Sequence, residues 1–256
     1  MAGKRENSQL APEALTWIES HDRVVELFAH KKRGTVLDIP CGHGALAVRL
    51  KSLGFDVSCA DIDPALFKAE GIQITKTNLN EPLPYPTASF DYIACIAGIH
   101  RVHRLHSALK EFNRILAPHG QLVISFPNYS NIGRRLKFLL TGSISKSVDR
   151  MAFHEQHAST PDAYYRHLLL FPQIYFAMEA AGFRITDVKG DKFKRKSLML
   201  LPIILTIKVI ASLMPRKTGD KYRLRETASN DVLLGGNNLI LTVVNDQERQ
   251  ACEPRM

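Results

Sequence analysis

The sequence contains few cysteines and shows no paired cysteine spacing. Only four of its 256 residues are cysteine, and Cys41, Cys59 and Cys95 fall in apolar runs typical of strands or strand ends. This pattern argues against a disulfide framework and against a zinc site, and it favours buried free thiols in a reducing compartment. We therefore expect a cytoplasmic protein without a metal site.

Long apolar runs are also scarce. The N-terminus has no apolar core behind its charged residues, so we predict no secretory signal. No stretch reaches the roughly 20 apolar residues that span a bilayer. The nearest approach is 198–214, which would measure about 25 Å as a helix and is interrupted by Pro202 and Lys208.

The net charge of +9 is concentrated in one segment. Twelve Lys or Arg residues stand against three Asp residues between Arg184 and Arg225, so the rest of the chain is neutral. A nucleic-acid partner is not expected, because its binding face would spread basic residues more widely. Two alternatives stay open for the basic and apolar stretch 192–225. It either contacts an anionic membrane peripherally, at the inner face of the cytoplasmic membrane, or it forms a lid or a homodimer contact.

Segments with strand and helix patterns alternate along the chain. We predict strands at residues 35–39, 56–60, 72–76, 90–96, 121–126, 183–188 and 238–244. We predict helices at residues 12–32, 45–53, 64–71, 107–116, 132–140 and 172–181. This alternation implies crossover connections and a doubly wound, mostly parallel α/β sheet.

The same pattern suggests a domain organisation. We expect an N-terminal helical segment at 1–33, followed by one main domain at 34–250. Within that domain, 143–171 is expected to form an acceptor-side region, because it is polar and rich in histidine. The stretch 191–236 is expected to be an insertion between the last two strands.

Two signals at strand ends point to a nucleoside-bearing cofactor. In VLDIPCGHG, residues 36–44, Gly42 and Gly44 let the backbone of a strand-to-helix turn approach a ligand closely. Asp61 ends the next strand, 17 residues after Gly44, where an acid can accept both hydroxyls of a ribose. The GxGxxG fingerprint of nicotinamide enzymes is absent. Asp38 instead ends the first strand, where a carboxylate can receive the ammonium group of a methionine moiety.

VLDIPCGHG resembles motif I of the class I S-adenosylmethionine-dependent methyltransferases, in which a strand ending in an acid is followed by GxGxG. Pro40 replaces the first glycine, which stiffens the turn and keeps the two glycines nearest the helix. ADIDP, at residues 60–64, resembles the second motif. This resemblance implies cofactor contacts for Asp61, at the ribose, and for the neighbouring Ile62.

Residues 77–93, TNLNEPLPYPTASFDYI, resemble the third and fourth motifs of that family. The family usually has an aspartate where this chain has Asn78, and the resemblance implies that Asn78 and the amide of Leu79 border the adenine. The Asn78 side-chain oxygen can still accept a hydrogen bond from the adenine amino group. The resemblance extends from Val36 to about Gly142 and includes the two C-terminal strands. It implies S-adenosyl-L-methionine as cofactor and a seven-stranded sheet with an antiparallel C-terminal strand pair.

Histidines are the candidates for a general base, which an oxygen acceptor of high pKa would need. The family often has Glu-His after the fourth strand, where this chain has His100 and Arg101, so His100 is the first candidate for the base. His167 lies where relatives carry a histidine over the acceptor site, so it is the second candidate. His103 and His106 are more typical of a solvated helix start. HEQH, at residues 154–157, does not match the HExxH zinc motif.

The expected acceptor is a small or lipid-linked molecule. Residues 94–97, ACIA, lack the Asn/Asp-Pro-Pro-aromatic motif of amino methylases, and neither Cys41 nor Cys95 lies where a cytosine methylase has its nucleophile. The SFPN and RRLKFLLTG stretches, with the basic apolar insertion, resemble bacterial methyltransferases associated with methionine biosynthesis or envelope glycans. We therefore expect O-methylation of a sugar hydroxyl on an envelope intermediate. The alternatives are a quinone or lipid methylase and a cofactor-binding partner protein without catalysis.

Overall fold

The structure is a computed structural model that describes residues 12–16, 18–144 and 167–245. The helices are α1 (Ile18–Ala29), α2 (Ala45–Ser52), α3 (Leu105–Ile115), α4 (Ile132–Thr141), α5 (Phe171–Ala180), α6 (Leu201–Leu213), α7 (Arg216–Lys221), α8 (Leu224–Thr227) and α9 (Asn230–Leu233). The strands are β1 (Thr35–Asp38), β2 (Asp56–Asp61), β3 (Ile74–Lys76), β4 (Phe90–Ile96), β5 (Leu116–Pro127), β6 (Phe183–Gly190) and β7 (Asn238–Asn245). Short 3-10 turns occur at Pro64–Leu66, Ile99–Arg101 and Arg195–Leu200.

The strands form one seven-stranded sheet in the order β3-β2-β1-β4-β5-β7-β6. The first five strands of that order pair in parallel, and β7 runs antiparallel to both β5 and β6. This arrangement confirms the expected doubly wound α/β fold with an antiparallel C-terminal strand pair. The strand order reverses between β1 and β4, which is the position where open α/β sheets bind ligands.

Two apolar layers cover the two faces of the sheet. Val36 and Ala94 belong to a buried cluster that includes residues of α1 and α2. Leu37 and Ile93, the neighbours of those residues along β1 and β4, belong to a second cluster with residues of α3 and α5. Because successive strand residues point to opposite faces, the helices sandwich the sheet. This sandwich holds the carboxyl ends of the central strands at one edge.

The insertion after β6 adds a third, smaller cluster. Ile204 and Ala211 of α6 pack with Ile132 of α4, with Leu233 at the end of α9 and with the following Leu234. The rest of α6 carries exposed apolar side chains. The run Arg195–Leu213 is long and apolar enough to cross a membrane by length and composition, and 6% of it is buried. The apolar strip expected from the sequence, 198–214, is too short to cross a membrane.

Three local predictions were wrong. The helix expected at 12–32 spans only Ile18–Ala29, because residues 12–16 are not helical. The helix expected at 64–71 is only the turn Pro64–Leu66, because Phe67 adopts an extended backbone and the amide of Lys68 donates to the carbonyl of His43. Strand β5 begins at Leu116 rather than at residue 121. Most of the expected acceptor-side region 143–171, including His154 and His157, lies outside the described residues, as do residues 1–11 of the expected helical segment.

Candidate cofactor and acceptor site

A cavity of about 390 Å³ opens at the carboxyl ends of β1, β2, β3 and β4. This volume lies in the range of sites for small organic ligands. Among its lining residues are seven of the eight that the sequence assigns to the cofactor, namely Asp38, Pro40, Gly42, Asp61, Ile62, Asn78 and Leu79. The eighth, Gly44, is not a lining residue and lies in the turn that leads into α2.

The turn between β1 and α2 needs its glycines. Gly42 and Gly44 have φ values of 53° and 85°, in the left-handed region that glycine tolerates best. A Cβ on Gly44 would lie 2.6 Å from the Phe67 ring and 2.7 Å from Ala69. The returning segment after β2 therefore packs directly on the turn, which leaves no room for a side chain.

Asp61 holds this turn from the neighbouring strand. Its Oδ2 accepts a hydrogen bond of 2.8 Å from the amide of Gly42, and its Oδ1 accepts one of 3.1 Å from the amide of Asp63. The side chain is buried but lines the cavity. A carboxylate oxygen can accept more than one hydrogen bond, so both oxygens keep capacity for a ligand hydroxyl.

Asp38 is a buried and incompletely satisfied polar group in the cavity wall. It is 1% exposed, and its Oδ2 has no hydrogen-bond partner among the described residues. Burial, with a smaller contribution from the charge of Asp61, raises the pKa of Asp38 to about 8, although the amide of Ala47 opposes the shift. A buried carboxyl of this kind calls for a cationic or donor group from a ligand.

Asn78 is already engaged with its own loop. Its Oδ1 accepts hydrogen bonds from the amide and the side-chain nitrogen of Asn80, at 3.0 and 3.2 Å, and its Nδ2 donates to Glu81. The Asn80 Oδ1 in turn accepts from the amide of His103 at 2.7 Å. These bonds join the loop after β3 to the loop after β4 and fix the wall of the cavity between them.

Several lining residues were missed by the sequence analysis. Leu15, Thr16 and His21 reach the cavity from the start of α1 and the segment before it. His43 lines it too, and its Nδ1 donates to the carbonyl of Glu13 at 3.0 Å. No local motif marks the N-terminal residues, because only the packing of α1 on the sheet brings them there.

His21 is the most informative of these missed residues. It is buried, and its Nε2 shares a 3.0 Å hydrogen bond with the Thr16 hydroxyl. Its Nδ1 has no partner among the described residues. Burial, assisted by the nearby charge of Arg49, lowers the pKa of His21 to about 4, so the imidazole is neutral at physiological pH. A neutral, buried imidazole is suited to hydrogen bonding with a ligand.

The structure brings the two base candidates together. The amide of His167 donates to the carbonyl of His100 at 2.7 Å, just beyond the end of β4. Neither histidine is among the residues that line the cavity; His100 is buried and His167 is partly exposed. His103 and His106 are exposed at the start of α3.

The cavity suits a ligand that carries both an ammonium group and a ribose. Asp38 and Asp61 provide two carboxylates near the glycine turn, and the apolar side chains of Ile62, Leu66 and Val102 line the wall beside Asn78. These features fit the methionine, ribose and adenine parts of S-adenosylmethionine. No group of three metal-ligating side chains occurs within residues 12–16, 18–144 and 167–245. Cys41, Cys59 and Cys95 are free and buried.

Comparison with known proteins identifies the family. Residues 11–188 match the family model described as a methyltransferase domain. The chain is 32% identical over 116 residues to a demethylmenaquinone methyltransferase of Thermus thermophilus, covering 41% of this chain and 53% of that protein. It is 31% identical over 104 residues to a ubiquinone/menaquinone biosynthesis C-methyltransferase of Rickettsia akari, covering 34% of this chain and 42% of that protein. The chain thus spans about half the length of these curated relatives.

Solved structures support the same assignment at the level of the fold. A SAM-dependent methyltransferase from Archaeoglobus fulgidus superimposes with a TM-score of 0.53 at 17% identity, covering 89% of this chain and 92% of that chain. This likeness agrees with the strand order of the sheet. The chain belongs to the methyltransferase-domain family and has the class I methyltransferase fold.

Proposed function

We propose that this enzyme transfers the methyl group of S-adenosylmethionine to an acceptor carried on a membrane lipid. The observation that supports this most is the position of the exposed apolar helix α6. It follows β6, which runs parallel to β5 because both are antiparallel to β7. The insertion therefore emerges at the same sheet edge as the cofactor cavity. An acceptor anchored in lipid would meet the enzyme at this edge.

Two acceptor chemistries fit a lipid anchor. An isoprenoid quinone is the first candidate, because both curated relatives described above are named as quinone-pathway methyltransferases. A sugar hydroxyl of an envelope glycan intermediate is the second, because the SFPN and RRLKFLLTG stretches and the insertion resemble methyltransferases associated with methionine biosynthesis or envelope glycans. In either case the protein is cytoplasmic and acts at the inner membrane face.

We assign the cofactor contacts to the residues of the cavity wall. The cofactor supplies an electrophilic methyl group on a sulfonium. The unpartnered Oδ2 of Asp38 receives its ammonium group, and Asp61 accepts the ribose hydroxyls while it braces the amide of Gly42. Pro40, Gly42 and Gly44 shape the turn, and Ile62, Asn78 and Leu79 border the adenine. The Asn78 side-chain oxygen already accepts two bonds, so we assign adenine recognition mainly to the Leu79 backbone.

Deprotonation of the acceptor is assigned to the histidine pair. Methyl transfer is an in-line displacement, so the main contribution of the protein is to hold acceptor and donor in line. The proton that the acceptor loses goes to His167, which is the more exposed of the two histidines. His100 lies beneath it and positions it through its backbone carbonyl.

Mass spectrometry of a strain that lacks the gene tests the acceptor class. We expect a quinone to accumulate that is lighter by the mass of one methylene group. The wild-type gene should restore the normal mass, and an Asp38→Ala variant should not. If a lipid-linked glycan, rather than a quinone, is lighter by one methylene group, the acceptor is the sugar hydroxyl. Unchanged lipids and glycans, with a change in a water-soluble metabolite, would contradict a lipid-linked acceptor.

A further inference from the structure

Helix α6 exposes more apolar surface than a helix of a soluble domain normally does. Met199, just before it, and Leu213, at its end, are 87% and 78% exposed. Between them Leu201, Ile203, Leu205, Val209 and Ile210 are also exposed. Helices that are apolar around most of their circumference are normally buried in protein or lipid. This surface therefore needs a covering partner.

Helix α4 contributes a second exposed apolar segment. Phe138, Leu139 and Leu140 are consecutive and exposed at its last turn, with Leu139 at 79%. The helix contacts the turn Arg195–Leu200 that leads into α6, and its first residue shares a buried cluster with Ile204. The two elements are thus fixed to each other. We call Phe138–Leu140 together with Leu198–Met214 the apolar platform.

Basic side chains flank the insertion part of the platform. Arg195 and Lys196 precede α6, and Arg216 and Lys217 follow it; all four are exposed. None of them forms an ion pair with a carboxylate in the part of the chain that the structure describes. Their charge is therefore available to an anionic partner.

Other basic residues of the same segment have structural roles. Lys192 pairs with Glu19 of α1 at 2.8 Å, and Arg223 pairs with Glu179 of α5 at 3.2 Å. These pairs tie the insertion to the rest of the domain. The excess charge that the sequence shows thus divides into a group that holds the insertion in place and a group at the ends of the platform.

We propose that the apolar platform docks peripherally on an anionic lipid bilayer. The apolar side chains would enter the region between headgroups and acyl chains, and the four basic residues would contact anionic headgroups. The helix would lie on the membrane rather than span it, because Ile204 and Ala211 are packed into the domain and Lys208 donates to Asn230 at 2.7 Å. A second protein copy would not require the basic ends, and nucleic acid would not require the apolar face.

This inference deepens the proposed function, because β5 and β6 both end where α4 and the insertion begin. Docking through the platform would turn the cofactor edge of the sheet toward the membrane. An acceptor anchored in the bilayer would then have a short path to the cavity. The docking itself involves no turnover, so it can be tested without any acceptor.

Vesicle flotation of the purified full-length chain provides the test. The vesicles contain phosphatidylcholine alone or phosphatidylcholine with phosphatidylglycerol, and no quinone or glycan. We expect flotation with the anionic vesicles that weakens as salt is raised, because salt screens the headgroup attraction. Replacing Arg195, Lys196, Arg216 and Lys217 with Gln should weaken binding by about a hundredfold or more, since each basic residue near the surface contributes substantially.

Matched variants make the result specific to the platform. The control removes the same charge from exposed residues away from the cofactor edge, with Gln at Lys32, Lys51, Lys110 and Arg184, and should float like the wild type. An apolar variant, with Ser at Leu139, Met199 and Leu213, should lose flotation even at low salt while it keeps its circular dichroism spectrum and its affinity for S-adenosylmethionine.

Several results would overturn the docking proposal. The first is that the folded wild-type chain does not float. The second is that the platform charge variant and the control charge variant weaken flotation equally. The third is that the wild type forms a stable dimer that the substitutions of the apolar variant dissociate. Tighter binding to duplex DNA than to vesicles would also overturn it. Flotation without methylation of any lipid would leave docking intact and refute the proposed acceptor class. Methylation of a lipid acceptor without flotation would refute docking and leave the proposed acceptor class intact.

Discussion

Asp38 and Asp61 are neighbouring carboxylates that differ in their hydrogen bonding. Asp61 accepts two backbone hydrogen bonds, whereas one oxygen of Asp38 has no described partner and burial raises the pKa of Asp38 to about 8. A buried, poorly satisfied acid costs stability and is retained where a ligand uses it. This contrast between the two acids is the clearest functional signature at the scale of single residues.

The raised pKa of Asp38 has a defined effect on stability. The folded protein keeps the Asp38 proton up to about pH 8, whereas the unfolded chain loses it near pH 4, so this residue lowers stability progressively between those values. Asp38→Asn should therefore stabilise the cofactor-free protein by at least about 2 kcal/mol at pH 8, roughly 4–8 °C in melting temperature. The gain should vanish near pH 4.

Thermal unfolding of the wild type and of Asp38→Asn across this pH range measures the effect. The control is Asp56→Asn, at the exposed opposite end of β2. A stability difference that does not change with pH would mean that Asp38 is ionised in the folded protein. The Asp38→Asn variant should also lose most of its affinity for S-adenosylmethionine.

Asp61 is expected to act on cofactor affinity. Asp61→Ala should weaken S-adenosylmethionine binding by about 1.5–3 kcal/mol, the scale of charge-assisted hydrogen bonds. Titration calorimetry measures this change, with Asp56→Ala as the control on the same strand. Unchanged affinity in a folded Asp61→Ala protein would limit the role of Asp61 to bracing the Gly42 turn.

The histidine pair can be separated by kinetics. If His167 is the base, His167→Ala should lower kcat by about 10²–10⁴ and leave the dissociation constant of S-adenosylmethionine unchanged. His100→Ala should have a smaller effect, because His100 contacts His167 through its backbone carbonyl, which alanine retains. A wild-type kcat for His167→Ala, together with a severe loss of kcat for His100→Ala, would instead make His100 the general base.

At the scale of elements, the glycine turn depends on a neighbouring segment. Gly44→Ala should destabilise the protein by about 3 kcal/mol or more, since it adds left-handed strain and a collision with Phe67 and Ala69. Gly142 is the matched control, because it also has a positive φ but no atom within 4 Å of its added Cβ. Gly142→Ala should cost only about 1–2 kcal/mol. An equal loss of unfolding free energy in the two variants, measured by urea unfolding, would mean that the contacts of Phe67 and Ala69 with the Gly44 turn do not contribute to stability.

The elements that could be predicted from sequence are those with a strong local signal. Strand β4 was predicted with its exact bounds, and α2 was predicted within one residue, because apolar runs there end at glycine or polar turns. The expected helix at 64–71 failed because its apolar residues pack on the Gly44 turn rather than on a helix face. The site contributions of Thr16 and His21 could not be predicted, since they depend on how α1 docks on the sheet.

At the scale of the whole molecule, the sheet places the candidate cofactor cavity and the apolar platform at one edge. The parallel strands deliver Asp38, Asp61 and Asn78 to that edge, and β5 and β6 deliver α4 and the insertion to it. This shared direction follows from the topology. It connects the proposed methyl transfer to the proposed lipid-linked acceptor.

Transfer of a labelled methyl group into lipid tests this account most directly. The purified chain would be incubated with methyl-labelled S-adenosylmethionine and membranes from a strain that lacks its gene, and the label would then be partitioned between organic solvent and water. We expect label in the organic phase, little label with membranes of the wild-type strain, and none with the Asp61→Ala variant. Tight S-adenosylmethionine binding with no label in the lipid fraction, or label only in water-soluble products, would contradict the account.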